Sequence, residues 1–352
     1  MRKHFLFLFF SVFTSSVLLS QVETQTSFNF IDLPSSSRVA GMGGVLNNIK
    51  DADLSLAYGN PALLNAEMDN QAVFSFSSYL ASSSFGFFSY AKDVKEIGTF
   101  SVNLLFLDYG SFNETDNAGQ IIGQFKAKET GITLSGSRMV GERLSAGAQM
   151  KFLFSNLEQY SAFGMGLDLG LTYHIEEEYL TASFVMKNIG YQLSSYYDEG
   201  EKSNLPFNIQ LGVSKKMKHA PFRLSLVLDN LQKWDLTYVD PNLIGKTDPL
   251  TGEPIVIESS SFGDKLMRHV IFGGEILIGD AIQVQLAYNY RRRKELKLLN
   301  NPGMSGLSFG VGAKIKSINL GYAFSNYTRA ANSHQFTLSL RFNDMKKEKT
   351  LN

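Results

Sequence analysis

Residues 143–157, RLSAGAQMKFLFSNL, and residues 161–174, SAFGMGLDLGLTYH, alternate bulky apolar residues with small or polar ones. Successive side chains of a β-strand point to opposite faces, so this period of two predicts strands. Phe152 belongs to the apolar row of the first stretch, whereas Lys151 and Asp168 belong to the polar rows. Each stretch is long enough to cross a membrane as a strand, which takes about 9–11 residues.

The same alternation recurs along the chain and predicts fourteen strands with a mean length of about 11 residues. Strands of soluble proteins have a most common length of about 5–6 residues, so these segments are long for a soluble sandwich. The predicted strands are 71–80, 84–92, 97–108, 129–139, 143–157, 161–174, 179–189, 206–215, 221–230, 268–278, 281–290, 304–315, 317–325 and 334–342.

Charged residues in the middle of these segments all fall opposite the apolar row. A Lys or Arg that faces lipid at the middle of a bilayer costs about 2–4 kcal/mol, so the polar row is predicted to line a lumen. The six predicted luminal charges are Lys151, Asp168, Lys187, Arg223, Glu275 and Lys314.

The length of each connection between predicted strands depends on whether the strand before it is even- or odd-numbered. Those after even-numbered strands are short, whereas the long ones, such as 231–267, follow odd-numbered strands. Outer-membrane barrels have an even number of strands, short periplasmic turns and long external loops. The sequence therefore predicts an all-β fold, a fourteen-stranded antiparallel transmembrane β-barrel over 71–342. Its long loops are expected outside the cell, and both termini in the periplasm or the lumen.

Composition excludes several other classes. The 352 residues include 33 Lys+Arg and 33 Asp+Glu but no Cys, and only 19% are charged. Balanced charge argues against a nucleic-acid binder, and the lack of Cys excludes disulfides, catalytic thiols and Cys-based zinc sites. After residue 20 no apolar run approaches the roughly 20 residues of a transmembrane helix, so a helical membrane bundle is also excluded.

The two ends of the chain lie outside the predicted barrel. Residues 1–20, MRKHFLFLFFSVFTSSVLLS, have a basic start, an apolar centre and a small residue at the end, the pattern of a secretory signal peptide. Residues 343–352, NDMKKEKTLN, extend past the aromatic residue Phe342 as a predicted periplasmic tail.

Residues 21–70 precede the first strand and are predicted to fill the lumen as a hatch. Fourteen strands enclose more space than the small luminal side chains can fill, and the apolar content of 28–70 argues against disorder. A periplasmic linker is the alternative. The residues that characterise the hatch are a glycine turn and an Asn-Pro-Ala turn that could open a short helix: Gly41, Gly43, Gly44, Asn60, Pro61 and Ala62.

The strand number, the N-terminal hatch and the Asn-Pro-Ala turn resemble the FadL-type barrels, a family of long-chain fatty acid transporters. Longer blocks are similar to the PorQ family, outer-membrane components of the Bacteroidetes type IX secretion system. These blocks are FNFIDLPSSSRVAGMGG, LAYGNPALLN, DYGSFNETD, LPFNIQLGVSKKMKHAPFR, KWDLTYVDP, DPLTGEPI, DKLMRHV and YNYRRRKELK.

The closer resemblance implies a non-catalytic scaffold in the outer membrane. Its partners would be PorZ, PorU and PorV, which attach secreted cargo to lipopolysaccharide at the cell surface. The alternative that the FadL-type resemblance implies is a channel for hydrophobic small molecules. No cofactor, metal or nucleic acid is expected under either hypothesis.

The sequence offers little that indicates catalysis. A Gly-x-Ser-x-Gly match at 306–310 lies within a predicted strand, whereas a nucleophile elbow needs a strand-to-helix turn. The histidines that follow the signal segment, His174, His219, His269 and His334, lie on separate elements. A non-enzyme is therefore expected.

Two features of the predicted external side are candidates for binding lipopolysaccharide or a partner protein. The first is the basic cluster Arg291, Arg292, Arg293 and Lys294, whose guanidinium groups suit phosphates; a solvated rim explains it equally well. The second is the long loop 231–267, which contains Trp234 and Tyr238 and is expected to fold over the barrel or to meet a partner.

Overall fold

The computed structural model describes residues 26–78, 83–197, 200–238, 260–279, 281–296, 303–328 and 331–345. The predicted signal peptide and most of the predicted tail lie outside these residues. Fourteen strands are present within them: β1 Gln71–Ser78, β2 Ser84–Val94, β3 Gly98–Thr115, β4 Ile121–Met139, β5 Leu144–Leu157, β6 Tyr160–Ile175, β7 Leu180–Ser194, β8 Asn208–Lys216, β9 Phe222–Leu228, β10 Val270–Ile278, β11 Ile282–Asn289, β12 Leu307–Ile315, β13 Ile318–Thr328 and β14 Ala331–Arg341.

The strands form one closed barrel in sequence order, and β1 pairs with β14 to close it. All neighbours are antiparallel, and at the closing pair Phe76 lies opposite Phe336. Closure satisfies the backbone hydrogen-bonding groups of every strand and leaves no free sheet edge. The predicted fold, a fourteen-stranded antiparallel β-barrel, is confirmed.

The two ends of the barrel differ. Long connections, at 195–207, 229–269 and 290–306, all follow odd-numbered strands and lie at one end, called here the loop end. The opposite end, called the turn end, carries the short connections after even-numbered strands, such as 95–97 and 316–317.

One predicted loop is wrong. Residues 109–128 were expected to be a connection, but β3 continues to Thr115 and β4 begins at Ile121, so a long hairpin extends from the barrel. The prediction failed because this stretch loses the apolar row that marks the membrane-facing part of a strand. The hairpin is held by stacking of Phe112 on Phe125, whose ring centroids are 5.3 Å apart.

The outer surface is an apolar belt. Along β5 the exposed positions include Met150 and Phe154, whereas Gln149 and Lys151, which flank Met150, are buried. Aromatic rings meet across neighbouring strands on this belt, and the Phe74 and Phe88 centroids are 4.8 Å apart. Cross-strand aromatic pairs of this kind stabilise a sheet by about 0.2–1 kcal/mol each.

The helical elements are short. The α-helices with both ends in the described residues are α1 Ser37–Gly41, α2 Phe262–Arg268 and α3 Tyr290–Leu296, and residues 342–345 after β14 are helical as well. The 3-10 helices there are Asn29–Asp32, Leu54–Tyr58, Pro61–Leu63, Ala66–Met68 and Glu176–Glu178. In the described ranges, no helix combines the length and apolar character needed to cross a membrane.

The hatch and the lumen as the candidate functional site

The hatch, defined here as residues 28–69, lies inside the barrel. It contributes much of the buried apolar core, including Leu54, Leu56 and Leu63. Its α1 helix contacts β12 and β13, and its Pro61–Leu63 helix contacts β4, β5 and β6. The hatch therefore bridges opposite walls of the barrel.

The predicted Asn-Pro-Ala turn forms a one-turn helix that is fixed to both the hatch and the wall. The side-chain oxygen of Asn60 accepts a hydrogen bond from the Ala62 N–H at 3.0 Å, which caps the helix. Its Nδ2 donates to the Asn47 carbonyl at 2.8 Å and to Thr172 Oγ1 on β6 at 3.0 Å. All the polar groups of this buried amide are satisfied within the site.

Two luminal glycines allow the hatch backbone to touch the wall. A Cβ added at Gly147 on β5 would overlap the backbone of Pro61, and one added at Gly170 on β6 would overlap the Asn60 side chain. The glycine turn of the hatch has a different requirement, since Gly43 and Gly44 have φ of +91° and +92°. Left-handed backbone of this kind favours glycine.

One side of the hatch is held by a buried ion cluster around Arg38 of α1. Its Nε donates to Glu275 on β10 at 2.7 Å, and its Nη atoms reach Asp51 at 2.8 Å and Asp53 at 3.1 Å. Arg223 on β9 binds the same carboxylates, Glu275 at 2.9 Å and Asp51 at 3.2 Å. Two guanidinium groups and three carboxylates thus tie the hatch to the wall.

In the two hatch residues Arg38 and Asp51, burial and ion pairing shift the pKa in opposite directions. Burial alone would raise the pKa of Asp51, but Arg38 and Arg223 outweigh it and hold that pKa well below its usual 3.8. For Arg38, burial opposes the charged form, and the Asp51 and Glu275 carboxylates nevertheless raise its pKa well above its usual value. Both groups are therefore ionised at neutral pH.

A second buried ion pair lies on β5 and β6 of the polar wall. Lys151 Nζ is 2.7 Å from Asp168 Oδ2, and both side chains are fully buried. Asp168 also accepts from the Asn188 backbone N–H at 2.7 Å, and Lys151 donates to the Asn188 side chain at 2.6 Å. The hatch covers this pair, because Lys151 Nζ lies 5.3 Å from the centre of the Tyr58 ring.

The wall of the lumen that lies across the barrel from β9 and β10 is apolar. This differs from the expectation of a lumen lined only by small and polar residues. On β2 and β3 the side chains of Phe85, Phe87, Leu105 and Leu107 are buried in one cluster with hatch residues. The hatch contributes Phe28, Phe30, Ile31 and Tyr58 to this cluster. We call this set of eight residues the apolar luminal cluster.

Sequence reasoning missed this cluster because β2 carries apolar residues on both faces. Phe85 and Phe87 point inward, while Phe88 lies on the outer surface, so the alternation is lost there. Loss of alternation in an otherwise alternating barrel is the signal that could have revealed it, since a strand buried on both faces reads as a continuous apolar run. No sequence signal singled out Arg38, which is one polar residue among serines.

Among the described residues, the lumen contains two cavities of several hundred Å³. The loop-end cavity has a volume of about 300 Å³ and is lined by both signs of charge, including Lys187, Asp32 and Asp229. Lys187 Nζ is 3.4 Å from Asp32 Oδ1 of the hatch. The turn-end cavity has a volume of about 410 Å³ and is lined by residues that include Arg38, Arg223 and Lys314.

The structure places the basic cluster at 291–294 on α3, above the loop-end cavity. Arg291 and Arg292 line that cavity, and Arg292 donates to the Gly43 carbonyl of the hatch at 3.2 Å. Arg293 bonds to the Gly303 carbonyl at 2.8 Å, and Lys294 pairs with Asp264 at 2.8 Å. The cluster thus contacts the hatch and neighbouring loops as well as solvent.

The described part of the long loop folds onto the loop end. Trp234 packs against Phe262 of α2 and against His269, with ring centroids 5.2 Å and 5.7 Å apart. His269 lies with its two ring nitrogens 2.8 Å and 3.1 Å from the carbonyl oxygens of Asp229 and Trp234. Tyr238 and Trp234 remain exposed, so this region carries an aromatic surface.

The Gly-x-Ser-x-Gly match lies within the barrel wall, as expected. Ser308 is on β12, a regular strand, and its side chain is fully buried. Its Oγ accepts from Arg292 Nη1 at 3.3 Å and from Ser325 Oγ at 3.3 Å. The local geometry is that of a strand rather than the strand-to-helix turn of a nucleophile elbow.

Comparison with known proteins gives a match of fold. No family model and no curated protein match the chain in sequence. A deltaS2 mutant of TodX, described as a monoaromatic hydrocarbon channel, is 14% identical with a TM-score of 0.50, over 89% of this chain and 98% of that one.

Two further solved barrels are similar. The Pseudomonas putida toluene transporter TodX is 12% identical with a TM-score of 0.47, over 89% of this chain and 99% of its own. A Pseudomonas aeruginosa FadL homologue is 13% identical with a TM-score of 0.48, over 88% and 98%. Together, the TodX mutant's likeness, the closed sheet of fourteen strands and the apolar outer belt identify an integral outer-membrane β-barrel with the fold of the FadL-type barrels.

Proposed function

We propose that this protein is an outer-membrane channel for hydrophobic small molecules, closed by its hatch. The observation that carries the proposal is the wall formed by β2 and β3, which is apolar on both faces. Its inner face contributes Phe85 and Leu105 to the apolar luminal cluster. Its outer face contributes Phe88 and Phe106 to an apolar recess of about 1010 Å³ in the lipid-facing belt.

The two apolar regions meet in the wall. Phe87 belongs to the luminal cluster and also lines the outer recess. Between Phe85 and Phe87, Gly86 has no side chain, and the Phe106 ring occupies the space that a Cβ would need. A hydrophobic molecule would therefore find apolar contacts on both sides of this part of the wall.

The hatch occupies the luminal side of this route. Phe28, Phe30 and Ile31 fill the space against β2 and β3 in the structure. Transport therefore requires these three side chains to leave the wall, and the hydrophobic substrate would replace the contacts they lose. The relatives named as hydrocarbon and toluene carriers are consistent with this chemistry.

Uptake of oleate and of toluene by proteoliposomes containing the purified barrel tests the channel. The wild-type protein is expected to accelerate entry over protein-free vesicles, and Phe87→Asn is expected to reduce the acceleration because it places a polar amide in the apolar wall. Gln149→Asn introduces the same Asn side chain on the polar wall, so it is the matched control and should transport normally. Wild-type vesicles that fill no faster than protein-free ones would contradict the proposal.

A second function is favoured by the aromatic surface at the loop end. Trp234, Tyr238 and Phe262 are exposed there, with 49%, 67% and 71% of their surface accessible. An exposed aromatic group above a hatch-filled barrel suits a partner protein. Together with the sequence blocks described above, it supports a type IX secretion scaffold that holds PorZ, PorU and PorV and binds lipopolysaccharide through the cluster at 291–294.

Purification in mild detergent separates the two functions. A scaffold is expected to bring a secretion-system protein with it, and Trp234→Ala should release that protein while leaving the barrel folded. A strain that lacks the gene should shed unanchored cargo into the medium. Intact cargo anchoring in that strain would exclude the scaffold, whereas unchanged hydrocarbon uptake would exclude the channel.

A further inference from the structure

We propose that the turn-end cavity is a binding site for a small multivalent oxyanion, a molecule that carries phosphate or carboxylate groups. The cavity has a volume of about 410 Å³, and the turn residues Gly279 and Ala281 line its rim. Three cations that form no ion pair with any carboxylate in the described part of the chain face it: Lys216, Lys314 and Arg341. This inference does not depend on which proposed function is correct.

The carboxylates of the same cavity are already engaged. Asp51 accepts from Arg38 and from Arg223, and Asp53 accepts from Arg38 and from the Ser55 hydroxyl at 2.7 Å. The wall carboxylate behind them, Glu275, binds both guanidinium groups as well. These acidic groups therefore have little capacity left to neutralise further cations.

The cations on the β12–β14 side lack such partners. Lys314 of β12 forms no hydrogen bond or ion pair through its ammonium group with any residue that the structure describes. Arg341 of β14 donates from Nη2 to the Ala52 carbonyl at 3.1 Å, while its buried Nε has no acceptor in the part of the chain that the structure describes. Lys216, the last residue of β8, has its Nζ 5.7 Å from the centre of the Tyr179 ring and forms no ion pair within the described residues.

Among the residues that the structure describes, the remaining acidic group of the lining does not balance this charge. Glu67 is an exposed residue of the hatch and supplies one carboxylate against three cations. Polar side chains fill in between the cations, since Asn319 of β13 lies directly opposite both Lys314 and Ser339 in the sheet. The result is a polar wall across three adjacent strands with an excess of positive charge.

An oxyanion is the ligand that this wall fits. Guanidinium and ammonium groups both bind phosphate and carboxylate oxygens through charge-assisted hydrogen bonds. Inside a barrel these bonds are screened less than at an open surface, so an anion that supplies acceptors to Lys314 and Arg341 gains more there than in bulk water. A ligand with two or more charged groups could contact cations on more than one strand at once.

Titration calorimetry on the full-length, detergent-purified barrel tests the site, with inorganic pyrophosphate and citrate as probes. Saturable binding of one anion per barrel is expected in sodium chloride of matched ionic strength. Lys314→Gln and Arg341→Gln should each weaken binding about tenfold, which corresponds to about 1.4 kcal/mol. Lys95→Gln is the matched control, because Lys95 lies in the exposed turn 95–97 outside the cavity.

Each outcome decides the proposal. Absence of a saturable signal for both probes would overturn it, as would an equal loss of binding in the Lys95→Gln control. Arg341 lies on the closing strand, so its replacement could disturb the barrel; heat-modifiable migration in gels reports that directly. Lys314→Gln alters an exposed residue on another strand, and unchanged affinity in this variant would by itself refute the site.

Discussion

The two walls that hold the hatch use different physical forces. The wall of β9 and β10 binds Arg38 through ion pairs, whereas the wall of β2 and β3 packs against Phe30 and Ile31. Apolar contacts scale with buried area and tolerate small shifts, but buried charges are costly unless each is paired. We therefore expect the apolar side to contribute affinity for the hatch and the charged side to set its position.

The largest expected effect comes from removing Glu275, the fully buried one of the two carboxylates that both guanidinium groups share. Glu275→Gln leaves Arg38 and Arg223 buried with reduced pairing, and breaking a buried pair costs about 3–5 kcal/mol. The free energy of unfolding, measured by denaturant titration in detergent, should fall by that amount. The control is Glu178→Gln, which removes an exposed pair with Lys218 and should cost less than about 1 kcal/mol.

A comparable change on the apolar wall should lower the free energy of unfolding by the same amount at low and at high salt. Leu105→Ala leaves a cavity beside Phe30 and is expected to cost about 2–5 kcal/mol. The same titration measures it, at low and at high salt. Leu104→Ala removes the same side chain from the adjacent, lipid-facing position and serves as the control. If the two variants are equally stable, the cluster contributes nothing to holding the hatch.

Acid should loosen only the charged side. The pKa of Asp51 is held below its unfolded value of 3.8, so its contribution is fully present above pH 3.8 and is lost as pH falls toward its folded pKa. Spin labels on α1 should therefore report a docked hatch from pH 7 to about pH 4 and increasing mobility below that. In Asp51→Asn this part of the pH response should disappear; an identical response in that variant would assign the transition to another group.

The smallest expected effect comes from shortening one apolar side chain of the hatch. Ile31→Val removes one methylene from a fully buried hatch residue and is expected to cost about 0.5–1.5 kcal/mol. The Ile31 carbonyl, which accepts a hydrogen bond from Tyr58 Oη at 2.7 Å, is retained in the variant. Denaturant titration that shows a loss above this range would mean that the backbone contact, rather than the side chain, had been disturbed.

The barrel could be predicted from sequence because lipid imposes one rule on every strand. Phe152 and Lys151 fall on opposite faces wherever the wall separates lipid from a polar lumen. The rule fails at β2, where the lumen is filled by apolar hatch residues, and at 109–128, where the hairpin has left the membrane. Both failures have the same cause: the medium on one side of the strand changed.

The site was less predictable because its parts lie far apart in the sequence. The hatch and its Asn-Pro-Ala turn were recognisable, but no local pattern says that Arg38 will meet Glu275. The luminal glycines could not be explained from sequence either. A side chain at Gly147 would overlap the backbone of Pro61, and one at Gly170 would overlap the side chain of Asn60. Long-range pairing of this kind becomes visible only when the barrel is closed.

The contact between the hatch and the last strand has a consequence for folding kinetics. Ser37 N–H donates to Thr337 Oγ1 at 2.8 Å, and Gln335 donates to the Pro34 carbonyl at 2.8 Å, across 300 and 301 positions of sequence. Contacts between such distant residues form slowly, because the chain must first lose the entropy of a very long loop. The same strand, β14, completes the barrel by pairing with β1. Barrel closure and the final seating of the hatch therefore converge on one late step, because the N-terminal segment cannot complete its contacts until the last strand is in place.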